Sequence, residues 1–338
     1  MSSPASPYAI GSALVVAATV ALSGAVAWGY HGGVLAPGGR AASGSTAAGA
    51  AVAAPTAGAT AGASSPGALP TASPGTRPAG STASPASSTP RVVTLPAVKR
   101  ENFAAAVDAA LASSGAVASV TALDLTSGRQ VNYGSSEATM PTASIVKADI
   151  LAAVMLEAQD DGRPLSRAEK ALAEPMITQS DNEAAQTLWE QAGRASGIAE
   201  ANEELGLSET KPPVGTAWGV VQSRAKDQVA LLSALTVPGG VISAENQAYA
   251  AELMGGVADD QSWGVSAADA DGECLIKNGW LPWAEESDRW IINSIGRIKA
   301  PNGHEVLIAV MTHNNASQGD GIARVEELAK IATAAVTA

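Results

Sequence analysis

The acidic residues of this chain are confined to one part of it. All 32 Asp and Glu lie at or beyond Glu101, whereas five of the 20 basic residues (Arg40, Arg77, Arg91, Lys99, Arg100) precede that point. That boundary limits what can fold. Residues from about His31 to Pro96 are almost entirely Ala, Gly, Ser, Thr and Pro. Such a stretch has too few large apolar side chains to offset the entropy lost on ordering. Residues 32–96 therefore read as a disordered tether, stiffened in places by proline. The part from Glu101 on has 238 residues and carries 15 basic against 32 acidic side chains, a net charge of −17. It is long enough for one large domain with a real core, placed at 97–338. Phosphate neutralisation needs clustered Lys and Arg, so nucleic acid is excluded as a partner.

Ile10 to Tyr30 is an uncharged apolar run of bilayer-spanning length. It predicts a signal peptide or membrane anchor over 1–31, with the domain outside the cytoplasm, either anchored through residues 10–30 or secreted after cleavage. Met1 to Pro7 has no Lys or Arg, so the usual basic lead is missing. The one cysteine, Cys274, does not follow the run, which argues against lipid attachment. It also excludes an intramolecular disulfide and a cysteine zinc site. Cys274 reads as a small buried strand residue. A monomer without metal or cofactor is expected. A Ser-His-Asp triad would have to use His304 or His313, and there is no G-x-S-x-G elbow.

Asn102 to Ser113 has helical spacing. Val117 to Gly134 reads as a hairpin turning at Thr126-Ser127-Gly128-Arg129. Ser144 to Gln159 is apolar nearly all round and predicts a central, buried helix. Residues 165–255 are helix-rich. Strands follow at Glu273–Trp280, Trp290–Ile298 and His304–Thr312, then a helix at Ile322–Ala335. This order predicts an α+β fold: an antiparallel sheet built from both chain ends, flanked by helices, with a helical subdomain inserted between.

Three short motifs carry chemistry, and each has a plainer reading. In Ser144-Ile145-Val146-Lys147 the lysine lies one helical turn from the serine. Burial or a second cation can lower a lysine's pKa enough to make it a base for a hydroxyl nucleophile. The plainer reading is a capping serine and an incidental lysine. Ser180-Asp181-Asn182 offers a hydroxyl to relay a proton and an amide to hold a substrate amide, or simply a helix cap. Lys277-Asn278-Gly279 offers an ammonium for a carboxylate and a glycine for close backbone approach, or simply a hairpin turn.

Taken together and in this order, Ser-x-x-Lys, Ser-Asp-Asn and Lys-x-Gly resemble the three-motif pattern of class A β-lactamases and penicillin-binding proteins. The contexts ITQSDNEAAQTLW and SWGVSAAD…IKNGW, the hairpin before Ser144 and the closing strand pair and helix add to the resemblance, which covers about residues 100–338. It implies a β-lactamase/transpeptidase-like fold and an acyl-enzyme at Ser144. Lys147 would be the base and Ser180 the proton relay to the leaving amine. Asn182 would bind the acyl side-chain amide, while Lys277, Asn278 and Gly279 would hold the substrate and its carboxylate. The backbone N–H groups of Ser144 and Trp280 would form the oxyanion hole. Arg289 stands where the family often has a carboxylate-binding arginine. The implied substrates are β-lactams or wall peptides.

Three departures matter. Asn278 replaces the usual Thr or Ser. The E-x-x-L-N loop, whose glutamate activates the deacylating water, has no counterpart in Glu203–Pro213, where Glu209 is the nearest substitute. The gap between the first two motifs is also short, so the helical subdomain should be trimmed. Slow deacylation is expected. The alternatives are a D,D-peptidase or transpeptidase, and a non-catalytic wall-binding domain on the same fold.

Overall fold

The run Val306-Leu307-Ile308-Ala309-Val310-Met311 offers no polar residue to either face of a strand. Such a strand needs cover on both sides, and its neighbours must supply it. In a computed structural model, which describes residues 93–134, 139–213, 218–283 and 289–338, that cover is present. The expected anchor and all but the last four residues of the expected tether lie outside these residues. Among the described residues no helix is long and apolar enough to cross a membrane.

The chain runs through α1 (Phe103–Leu111), β1 (Val117–Asp124), β2 (Gln130–Tyr133) and β3 (Met140–Pro141). Next come α2 (Val146–Asp160), α3 (Arg167–Thr178), α4 (Asn182–Gln191) and α5 (Arg194–Glu204). Then follow β4 (Gln222–Ser223), α6 (Ala225–Thr236) and α7 (Ala244–Gly255). The chain ends with β5 (Leu275–Trp283), β6 (Arg289–Lys299), β7 (Glu305–Asn315) and α8 (Gln318–Thr337). Five strands form one antiparallel sheet in the order β2-β1-β7-β6-β5, so β7 is central and β5 is an edge. The predicted antiparallel sheet from both chain ends, flanked by helices and holding a helical insert, is what the structure shows.

The period of two along β7 sorts its side chains between two cores. Leu307, Ala309 and Met311 join the cluster formed with the inserted helices. Val306, Ile308 and Val310 join the cluster under α1 and α8. Within the insert, α2 buries residues on every side, as a helix without a polar face must. The entry to α3 is a capping box: Glu169 N–H donates to Ser166 Oγ, and the Glu169 carboxylate accepts from Ser166 N–H. Arg163 adds two contacts to that carboxylate, at 3.0 and 3.1 Å. Cys274 is half-buried and lies just before β5, packed against the α8-side core, rather than inside the strand.

Ile150, fully buried on α2, ties this helix to the rest of the inserted core. Ile150→Ala should cost about 2–5 kcal/mol. Urea denaturation should show that loss as a lower midpoint at an unchanged slope.

Candidate active site

Ser144 does not start α2. It sits in a 3₁₀ turn, Ala143–Ile145, that feeds the helix, and no side-chain cap is made there. Its hydroxyl is therefore not committed as a cap. The turn is held from several directions. Ala143 has φ 47°, a left-handed conformation unusual for a residue with a Cβ. Thr142 N–H donates to the Val221 carbonyl at 2.9 Å, and the Asn293 amide donates to the carbonyls of Pro141 and Thr142, each at 2.9 Å. Opposite Asn293 in the sheet is Gly279. A Cβ at Gly279 would lie 2.7 Å from Ser144 N and 2.8 Å from Ile145 N. Only glycine lets the open edge of β5 run this close to the serine turn.

Lys147 lies one turn along and is completely buried. Its Nζ is 3.1 Å from Ser144 Oγ, 2.6 Å from the Ser180 carbonyl, 3.0 Å from Ser180 Oγ and 2.8 Å from Asn182 Oδ1. Local geometry explains how the second motif reaches it. The Pro175 carbonyl accepts from both Gln179 N–H and Asp181 N–H as α3 ends, and Ser180 takes φ 56°. Asp181 then caps α4, its carboxylate accepting from Ala184 N–H at 2.7 Å. Adjacent residues thus divide the motif: Asp181 caps, while Ser180 and Asn182 turn towards Lys147.

Lys277 closes the cluster from β5. It is fully buried, donating to Ser180 Oγ at 3.1 Å and to the Asn278 carbonyl at 3.0 Å. The motif lies within β5, not at a turn. Ser180 Oγ thus faces two ammonium groups. Burial lowers the Lys147 pKa to about 7, with Asp181 opposing the shift. Burial, and then the charge of Lys147, push Lys277 well below its ordinary value.

Two expected site residues are not brought here. The Asn278 amide points to the other side of the strand and is buried there, donating to the carbonyls of Gln261 at 2.7 Å and Trp263 at 2.8 Å. Period-two alternation is the reason: if Lys277 and Gly279 face Ser144, Asn278 cannot. Arg289 instead donates to the carbonyls of Asn314 at 2.9 Å and Ser114 at 3.3 Å, tying the start of β6 to the end of β7 and the segment after α1. Glu209 is not in the cluster either, and its carboxylate pairs with Arg224 at 3.3 Å.

A profile of the β-lactamase enzyme family matches residues 102–169 and 163–336. The chain belongs to that family. Its fold is similar to that of the TLA-1 extended-spectrum β-lactamase (TM-score 0.61, 15% identity, 69% of this chain and 97% of that one). It is also similar to a class A β-lactamase from Bacteroides cellulosilyticus (0.60, 16%, 70% and 97%) and to PBP-A (0.58, 20%, 70% and 97%). A Mycobacterium tuberculosis protein named LppW, provisionally classed as a lipoprotein, is 30% identical over 118 residues. That match spans 35% of this chain and 37% of LppW, little more than a third of the relative's length.

Three residues beside the β-lactamase motifs are not evident in the sequence. Asn293, an unremarkable strand asparagine, holds the serine turn. Trp218 lies over Lys147, its ring centroid 5.0 Å from Nζ. Asp149, two residues after Lys147, is fully buried, and among the described residues neither carboxylate oxygen has a donor within hydrogen-bond distance. Burial, with repulsion from Asp227, raises its pKa to about 7, although the neighbouring Asn202 amide opposes the shift. Between pH 4 and 7 the folded state therefore keeps a proton that the unfolded state gives up, so this group removes stability as pH rises and the loss levels off above about 7. Asp149→Asn should abolish that term. The variant should gain a few kcal/mol relative to the parent at pH 8 and little at pH 4, read from denaturant midpoints at the two pH values.

Proposed function

We propose that this chain is a serine acyl-transfer hydrolase that forms an acyl-enzyme at Ser144 and acts on β-lactams or related wall-peptide amides. The observation that carries the reading is Lys147 Nζ, 3.1 Å from Ser144 Oγ and bonded to the same Ser180 hydroxyl as Lys277. A buried lysine whose proton is lost near pH 7 can take the Ser144 proton as Oγ attacks a carbonyl carbon. The proton then passes through Ser180 Oγ to the leaving nitrogen. The developing oxyanion is received by the backbone N–H groups of Ser144 and Trp280, between which Gly279 leaves room. Asn182, at the exposed start of α4, offers its amide to the acyl side chain, and Lys277 offers its Nζ to the substrate carboxylate.

Release of the acyl group is the weak step. Glu209, the nearest substitute for the missing glutamate, is paired with Arg224 and is not in the cluster. PBP-A is one neighbour for which an acyl-enzyme complex with penicillin G has been determined, in a mutant form (TM-score 0.59, 19% identity). The proposed setting is outside the cytoplasm, as a monomer reached by small substrates or wall peptides. The likeness to LppW supports that setting but does not carry lipid attachment over, because the single cysteine here is Cys274.

The test is to incubate the full chain with a penicillin and follow its intact mass. The expected result is a mass increase equal to the whole drug, mapping to Ser144, that decays slowly, and its absence in Lys147→Ala. Because Lys147 must be neutral to act, the acylation rate should rise with pH up to about 7 and then level. No adduct on a folded chain, or labelling that survives Lys147→Ala, contradicts the assignment.

A further inference from the structure

The short turn Trp218–Val220 is pinned beside the serine turn, since Thr142 N–H donates to the Val221 carbonyl and β4 pairs with β3 immediately after it. This brings the Trp218 indole over the Lys147 ammonium. The ring is fixed in turn by α4. Trp218 Nε1–H donates to Gln186 Oε1 at 3.0 Å, and the other end of that amide, Nε2, donates to Glu190 at 2.9 Å. Gln186 lies four residues after Asn182, so one face of α4 holds both Lys147, through Asn182 Oδ1, and the tryptophan that covers it.

Lys147 is therefore enclosed on every mapped side. Ser144 lies on its own helix side, Ser180 and Asn182 at the α3–α4 junction, and Trp218 across the remaining flank. Lys277 and Asp181 are the charged groups acting on it, and the latter favours its charged form. Four oxygens and one ring share an ammonium with three protons, which leaves no donor over for solvent.

We propose that Trp218, set in place by Gln186, is a positioning residue that shuts water away from the Lys147 side of Ser144 and thereby fixes how long an acyl group stays there. The second half rests on the acyl-enzyme reading of Ser144, whereas the first does not. Water that could attack the ester would need a base beside it, and neutral Lys147, 3.1 Å from Ser144 Oγ, could serve as one. The indole occupies the flank from which water would reach both. Losing the ring has two opposed effects on the lysine. The ring's negative face favours the ammonium, but water admitted in its place favours the ammonium more, because burial is the leading cause of the lowered pKa.

The experiment has two readouts on the full chain. The first is a pH titration of Lys147 by NMR of ¹³Cε-labelled lysine, its signal assigned by its loss in Lys147→Met. In Trp218→Ala the midpoint should move up by about one pH unit or more, and in Gln186→Ala by less in the same direction. Trp218→Phe, which keeps a ring but not the bond to Gln186, should shift it about as little as Gln186→Ala does. The second readout is the decay of the penicillin adduct by intact mass, which should be about tenfold faster in Trp218→Ala and accelerated far less in Trp218→Phe and Gln186→Ala. A midpoint unmoved or lowered in both Trp218→Ala and Gln186→Ala overturns the shielding role. An upward shift with unchanged adduct lifetime overturns the claim on acyl retention. If the parent forms no adduct, the acyl-enzyme reading fails on its own, and the titration still decides whether Trp218 shields Lys147. Gln186 is at the surface of α4, so its variant keeps the test open if Trp218→Ala does not fold.

Discussion

Two lysine side chains converge on one serine hydroxyl inside the protein. Bringing Lys147 and Lys277 together is unfavourable twice over, once for desolvation and once for like charge. The fold tolerates it because each Nζ is given oxygen partners by backbone that is itself held rigidly. Ser180 offers both its hydroxyl and its carbonyl from a left-handed turn between two helices. Gly279 lets an edge strand press Lys277 in from the far side. The inserted helices, the serine turn and the edge strand each supply one part of this arrangement, and none of them holds it alone. The outcome is a lysine that can shed its proton near neutral pH beside a hydroxyl with no other commitment.

Much of this was legible in the sequence because it depends on local spacing and periodicity. Ser144 and Lys147 share a helical face by arithmetic. The apolar run of β7 and the hairpin at Thr126–Arg129 announce the sheet. The order of the three motifs points to the family. Side-chain direction is less legible, because a motif names residues and not the way their side chains point. Asn278 lies between two residues that face Ser144, so the pleat turns its amide into the loop at Gln261–Trp263. Arg289 stands where the family often has a carboxylate-binding arginine, and its guanidinium satisfies two carbonyls at the strand end. The apolar run from Ser144 on predicts a helix starting there, whereas a tight turn before α2 holds the serine.

What the sequence hid depends on contacts between distant segments. Asn293 is 149 residues after Ser144 in the chain and reaches the turn only because β6 lies beside β5. Trp218 follows a proline pair in a stretch that invited comparison with a missing glutamate loop. Its position over Lys147 becomes visible only once β4 pairs with β3. What the pairing of β4 with β3 brings to the lysine is an aromatic ring.

The most direct measurement is a crystal structure of the chain after exposure to a penicillin. Electron density should run continuous from Ser144 Oγ to the opened lactam carbonyl carbon, with the carbonyl oxygen between Ser144 N–H and Trp280 N–H and the drug carboxylate near Lys277. Density for an intact drug, for a covalent bond to any other residue, or for a carbonyl oxygen turned away from those two N–H groups would contradict it.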